Sequence, residues 1–117
     1  MYAVIFEVEA KEGRAQRYFD LAAQLRPELE KIDGFISVER FQSLTTEGKI
    51  LSLSFWRDAD AVRRWREHDR HQRAQRKGRD EIFADYRLTV VEIVRQYGML
   101  DRAQAPQEMP PVSPPTR

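Results

Sequence analysis

The first and last apolar segments of this 117-residue chain are apolar on both sides, and nothing else in the sequence limits the fold so strongly. In residues 2–8, Tyr2, Val4, Phe6 and Val8 alternate with Ala3 and Ile5, and in residues 87–97, Leu88, Val90 and Val94 alternate with Val91, Ile93 and Tyr97. Period-2 alternation with many β-branched residues predicts strands. A strand that is apolar on both faces needs cover on both.

The segments between them supply cover for one face only. Tyr18, Ala22, Leu25, Leu29 and Ile32 recur at helical spacing from Arg14 onward, and Asp33 and Gly34 close that helix. Pro27 lacks a backbone donor and clashes with the preceding turn, so it predicts a kink, or a break with Pro27 opening a second short segment. Residues 35–42 and 50–56 predict a hairpin around a turn at 45–49 that contains Gly48. Asp58 is placed to cap a second helix that carries Ala61, Val62 and Trp65, and the polar run 75–79 ends it at Gly78. Ile82, Phe83 and Tyr86 then lead into the last strand.

The order β, α, β, β, α, β predicts an α+β fold of the ferredoxin-like split βαβ kind, an antiparallel four-stranded sheet with helices on one face. Two helices leave the other face bare, and a bare apolar face of that size is rare on a soluble monomer. The expected assembly is therefore a two-fold homodimer packed sheet on sheet.

Composition excludes several classes of function. A chain of 117 residues with 41% hydrophobic content suits one domain with a modest core. Twenty basic against 19 acidic residues give a net charge of +1, so no overall field draws the protein to nucleic acid or an anionic membrane. The absence of cysteine rules out disulfides and thiolate metal sites. The apolar opening is too short for a signal segment and runs into Glu7 and Glu9, so the expected location is cytoplasmic, with no membrane partner. Five of the six prolines fall in residues 103–117, which divides the chain into a domain at 1–99 and a proline-rich tail at 100–117, expected to be extended or disordered.

Residues 51–75 concentrate the chemistry, because a strand, a helix cap, Trp65 and both histidines lie there. Leu51, Leu53 and Phe55 alternate with Ser52, Ser54 and Trp56. In the helix that follows, rotation of about 100° per residue carries His68, Asp69 and Gln72 to the flank of the Trp65 face. Polar residues there imply either a helix break near 67–70 or a cavity. Trp65 then either fills the core or orients a flat ligand at a cavity edge. His68 is the best candidate for a general base, against the plainer reading of a structural histidine, since histidine as a residue type exchanges protons near neutral pH. The His68/His71 pair has one-turn spacing but no third ligand nearby, which favours adventitious metal binding over a site. No phosphate-binding glycine loop, nucleophile elbow or zinc motif is present. Residues 57–79 hold nine basic and four acidic residues, with Arg63, Arg66, Arg70, Arg73 and Lys77 along one face. That stripe could grip phosphates, but without interleaved aromatics it reads better as a solvated face, and nucleic acid is a disfavoured partner.

Three stretches carry a family resemblance: LRPELEKIDGFISVERFQS (25–43), SFWRDADAVRRW (54–65) and IFADYRL (82–88). Together with the element order they resemble the antibiotic biosynthesis monooxygenase (ABM) domain family of the dimeric α+β barrel superfamily, over residues 1 to about 99. The resemblance implies a homodimer with a pocket between sheet and helices in each subunit. It further implies a cofactor-independent monooxygenase acting, with molecular oxygen, on an aromatic, polyketide-like or quinol small molecule. Trp65 matches the family's helix tryptophan and Trp56 the aromatic that closes the preceding strand. On this reading Trp56, Trp65, His71, Gln72 and Phe83 bind substrate and His68 takes the proton. Haem-degrading members carry an axial histidine and a first-strand asparagine where this chain has Gln75 and Phe6, which disfavours haem degradation. Polyketide oxidation in the family draws on asparagine, and this chain has none. A non-catalytic ligand-binding or interaction dimer is the other reading the pattern allows.

Overall fold

The computed structural model describes residues 1–75 and 83–106, without the side chains of residues 70–75, 83 and 84. Its elements are β1 (Tyr2–Ala10), α1 (Ala15–Glu30), β2 (Phe35–Gln42), β3 (Lys49–Trp56), α2 (Ala59–Gln75) and β4 (Phe83–Glu92). The strands form one antiparallel sheet in the order β2-β3-β1-β4, and α1 and α2 contribute to the core on the same face. This is the predicted ferredoxin-like α+β arrangement. Among the described residues no helix is long and apolar enough to cross a membrane.

Local chemistry explains where the elements start and stop. Asp58 Oδ1 accepts the Ala61 N–H at 2.9 Å, capping α2 as predicted. Gly34 ends the α1–β2 loop at φ +93°, and a Cβ there would stand 2.6 Å from the Ala61 Cβ. A glycine is required at that approach. Its carbonyl accepts the Arg57 N–H at 2.8 Å, which ties the loop to the start of α2.

Two alternatives fall away and one expectation is corrected. Pro27 does not break α1, which is one helix from Ala15 to Glu30. The carbonyl that loses its donor is that of Ala23, an exposed residue, so water can satisfy it. Residues 67–70 do not interrupt α2 either, and of them Asp69 lines the cavity. The last strand spans Phe83–Glu92 rather than 87–97, because its partner β1 begins at Tyr2, opposite Glu92. Beyond that pair only the Ile93 N–H finds Met1 O, at 2.9 Å. Residues 93–106 bond among themselves instead, through Gly98 N–H to Asp101 O and Gln96 N–H to Gln104 Oε1. The predicted helix end at Gly78, along with Ile82, lies outside the described residues.

Among the described residues the core is split in two. Val4, Leu29, Val38, Trp56 and Ala61 form one cluster, and Val8, Tyr18 and Ile50 form the other. The split follows from the orientation of β3, which turns Ser52, Ser54 and Trp56 toward the helices and Leu51, Leu53 and Phe55 away from them. Two serines at the centre of the helix-facing surface cannot fill the space that leucines would.

The Asp33, Arg57 and Asp58 cluster gives α2 an acid-sensitive start. Arg57 donates to Asp33 at 3.1 and 3.0 Å and to Asp58 at 3.1 Å. The Arg57 hydrogen bonds and charge hold the Asp33 carboxyl below its ordinary value, and the Ala61 N–H followed by Arg57 does the same for Asp58. Folded-state values below the unfolded ones, about 3.9 for Asp, add stability that is fully present above pH 4 or so and lost as pH falls through the folded values. Thermal melts from pH 7 to pH 2 should show this loss, and the Asp33→Asn/Asp58→Asn double variant should show a flatter acid limb.

Candidate active site

Between the two core clusters lies a cavity of about 110 Å³. Its floor is the helix-facing surface of the sheet. Cross-strand register lines up Arg40, Ser52, Phe6 and Leu88 in one row, and Val38, Ser54, Val4 and Val90 in the next. Its roof comes from Tyr18, Leu21, Leu25 and Leu29 of α1 and from Trp65 and Asp69 of α2. Past Trp65 and Asp69, which line both spaces, it meets an open cleft of about 540 Å³ between α2 and β4, edged by Val62, Arg66, Tyr86 and Val90. An apolar hollow with a few convergent polar groups is the usual form of a small-molecule site.

Those polar groups differ in how they are engaged. The Trp56 Nε1–H donates to Ser54 Oγ at 2.9 Å, and Ser54 Oγ lies 3.5 Å from Val4 O, so Ser54 is committed to the core. Arg40 is not committed. Its Nε is shut off from solvent and has no hydrogen-bond partner, and among the described residues Arg40 makes no ion pair. An unpaired buried donor costs about 1–3 kcal/mol, more on a charged group. Asp69 brings a carboxylate to the wall that both spaces share.

The residues expected from the sequence fall in different places. Trp65 lines the cavity. Trp56 does not. It is fully buried behind Trp65, stacked on it at 6.4 Å between ring centroids and edge-on to Phe35 at 5.3 Å, so it supports the wall without reaching the cavity. His68 lies 5.7 Å from the Trp65 ring but is turned to α1, where its Nε2 faces Glu28 Oε2 at 3.8 Å and neither atom has a hydrogen-bond partner. The helix rotation that brings Asp69 to the cavity takes His68 off it. The side chains of His71, Gln72 and Phe83 lie outside the described residues. Arg40, Ser52 and Tyr18 were not singled out by sequence. An arginine two positions after Val38, on the core side of an alternating strand, was the available signal.

The basic stripe is partly neutralised. Arg63 pairs with Asp60 at 3.1 Å, Arg57 and Arg64 reach Asp33 at 3.0 and 3.8 Å, and Arg66 borders the open cleft. The side chains of Arg70 and Arg73, and all of Lys77, lie outside the described residues. Phe6, at the position the resemblance matched to the haem degraders' asparagine, is an apolar wall residue, and among the described residues no histidine lines either space.

A ferredoxin-like sheet with an apolar pocket under its two helices defines the class, an α+β domain of ferredoxin-like topology. The sequence profile of the antibiotic biosynthesis monooxygenase family matches residues 1–77, and the chain belongs to that family. It is 48% identical over 93 residues to the jasmonate monooxygenase ABM of Pyricularia oryzae, an alignment spanning 80% of this chain and 43%, less than half, of that protein. It is 34% identical over 101 residues to the uncharacterised protein YqjZ of Bacillus subtilis, covering 81% of each. Solved structures share the fold at low identity. The heme-degrader MhuD of Mycobacterium tuberculosis superposes with a TM-score of 0.68 at 16% identity, over 84% of this chain and 100% of that one. PA3566 of Pseudomonas aeruginosa does so with 0.66 at 15%, over 80% and 93%.

Proposed function

We propose that this protein is a monooxygenase that oxidises a small, largely apolar molecule held against Trp65 and Asp69, with molecular oxygen as the oxidant. Membership of the family supports the reaction class. The observation that carries the site is the cavity left by Ser52 and Ser54, lined by aliphatic and aromatic side chains and reached by the Asp69 carboxylate.

An electron-rich aromatic or quinol-type substrate needs the least from the protein. In a phenolic polycycle whose keto tautomer carries a ring CH₂, R₂CH₂ + O₂ → R₂C=O + H₂O draws all four electrons from that carbon, one oxygen atom entering the product and the other leaving as water. The protein then has to remove a proton, orient the ring and exclude water. Asp69 is the proton acceptor in this reading, in preference to His68, because it faces the cavity and His68 faces Glu28. Trp65 offers the flat surface, with Trp56 holding it from behind. Hydroxylation of an unactivated C–H bond would also need a two-electron reductant. Oxygen uptake should therefore be measured with quinols, phenolic polycycles and jasmonate, with and without such a donor. Uptake tied to one of these classes supports the proposal, and none across the panel removes it.

The same reading makes the protein a homodimer. Ile5, Leu51, Leu53 and Phe55 lie on the helix-free face of the sheet beside Phe41, which is 44% exposed. Val94, Met99 and Leu100 are 90–94% exposed on the segment after β4. Sedimentation should give a dimer at micromolar concentration, and Leu53→Glu should shift it to monomer. A stable wild-type monomer would contradict this assembly.

A further inference from the structure

We propose that Arg40 and Ser52 form an anion subsite in the cavity, so that the substrate is an amphipathic monocarboxylic acid whose carboxylate binds there while its apolar body extends toward Trp65. This rests on reading the cavity as the substrate site. The side chains pair across β2 and β3, Arg40 opposite Ser52, on the helix-facing surface. An arginine at such a place usually lays its stem on apolar surface and keeps its head in water. Arg40 departs from that pattern at Nε, which touches neither water nor an acceptor. The Ser52 hydroxyl makes no hydrogen bond among the described residues, whereas Ser54 next along the strand is occupied by Trp56 and Val4 O.

Two unused donors at adjacent positions call for an acceptor from the ligand. A guanidinium presents Nε–H and an Nη–H as a parallel fork that fits the two oxygens of a carboxylate, and the hydroxyl can donate to the same group. The surroundings favour a single negative charge. Asp69 lines the same cavity and would repel a dianion such as a phosphate monoester, and among the described residues the remaining walls, apart from Ser54, are aliphatic or aromatic.

The test compares acids with their neutral esters in binding alone. Octanoate and methyl octanoate, and jasmonate and methyl jasmonate, are titrated at neutral pH against the intrinsic fluorescence of Trp65 and Trp56. The wild type should bind each acid roughly 10–100-fold more tightly than its ester, the range expected for hydrogen bonds to a charged group. Arg40→Gln should remove the preference by weakening the acid alone, Arg40→Lys should restore part of it, and Ser52→Ala should weaken the acid by a smaller factor. Circular dichroism checks that each variant is folded, and Ser52→Ala carries the test if Arg40→Gln is not. Equal affinity for acid and ester in the wild type, or unchanged acid binding in folded Arg40→Gln and Ser52→Ala, overturns the proposal. Acid preference without turnover would remove the oxygenase reading and leave the subsite standing. Turnover of neutral substrates without acid preference would do the reverse.

Discussion

Trp56→Ala is expected to lower the free energy of unfolding by about 3–5 kcal/mol, the usual range for removing a large aromatic from a core. Trp56 has no exposed surface and joins β3 to both neighbours of its cluster, edge-on to Phe35 and stacked on Trp65. Its Nε1–H also holds the Ser54 hydroxyl, so the alanine variant would leave a void and a buried hydroxyl short of its partner. Small domains have only about 5–15 kcal/mol in total, so the variant should unfold early in urea. Trp56→Phe, which keeps most of the volume and loses the hydrogen bond, should be milder. A Trp56→Ala midpoint close to wild type would mean that the α2–sheet contact is not built around this residue.

Asp69→Asn should reduce oxygenase turnover by about 10²–10⁴-fold, the contribution typical of a positioned proton acceptor, while leaving the fold intact. Asparagine keeps the shape and loses the basicity. His68→Ala should leave turnover within severalfold of wild type, because the imidazole faces Glu28. Steady-state oxygen consumption by the two variants on the best substrate separates the roles. If His68→Ala abolished turnover and Asp69→Asn did not, the proton acceptor would be the histidine and the α1–α2 contact would have to open during the reaction.

Much of the fold was legible because alternation and caps are local. The strand at 35–42, the hairpin and the Asp58 cap follow from residues close in sequence. The limits of β4 were not, since they depend on where β1 runs out. The orientation of β3 was equally hidden. Leu51, Leu53 and Phe55 are the more apolar set, yet they face away from the helices, and only the pairing with β1 decides that. Within the site, helical periodicity brought His68 and Asp69 together beside Trp65, but adjacent residues are rotated by about 100°, so one meets the cavity and the other meets α1. Sequence does not say which. Arg40 was missed because a single charged residue on an edge strand reads as surface until its burial is known.

The measurement that bears most directly on an oxygenase working in this cavity is oxygen-18 incorporation by wild type and by a variant with the cavity filled. Leu25→Trp would place a bulky ring in the roof of the hollow, away from Asp69 and Arg40 in sequence and on the other helix from Trp65. With ¹⁸O₂ the wild-type product should carry one labelled oxygen atom, with the second recovered in water, and folded Leu25→Trp should form almost none of it. Undiminished labelled product from folded Leu25→Trp would place the reaction elsewhere, and a product without label would mean that the oxygen does not come from O₂.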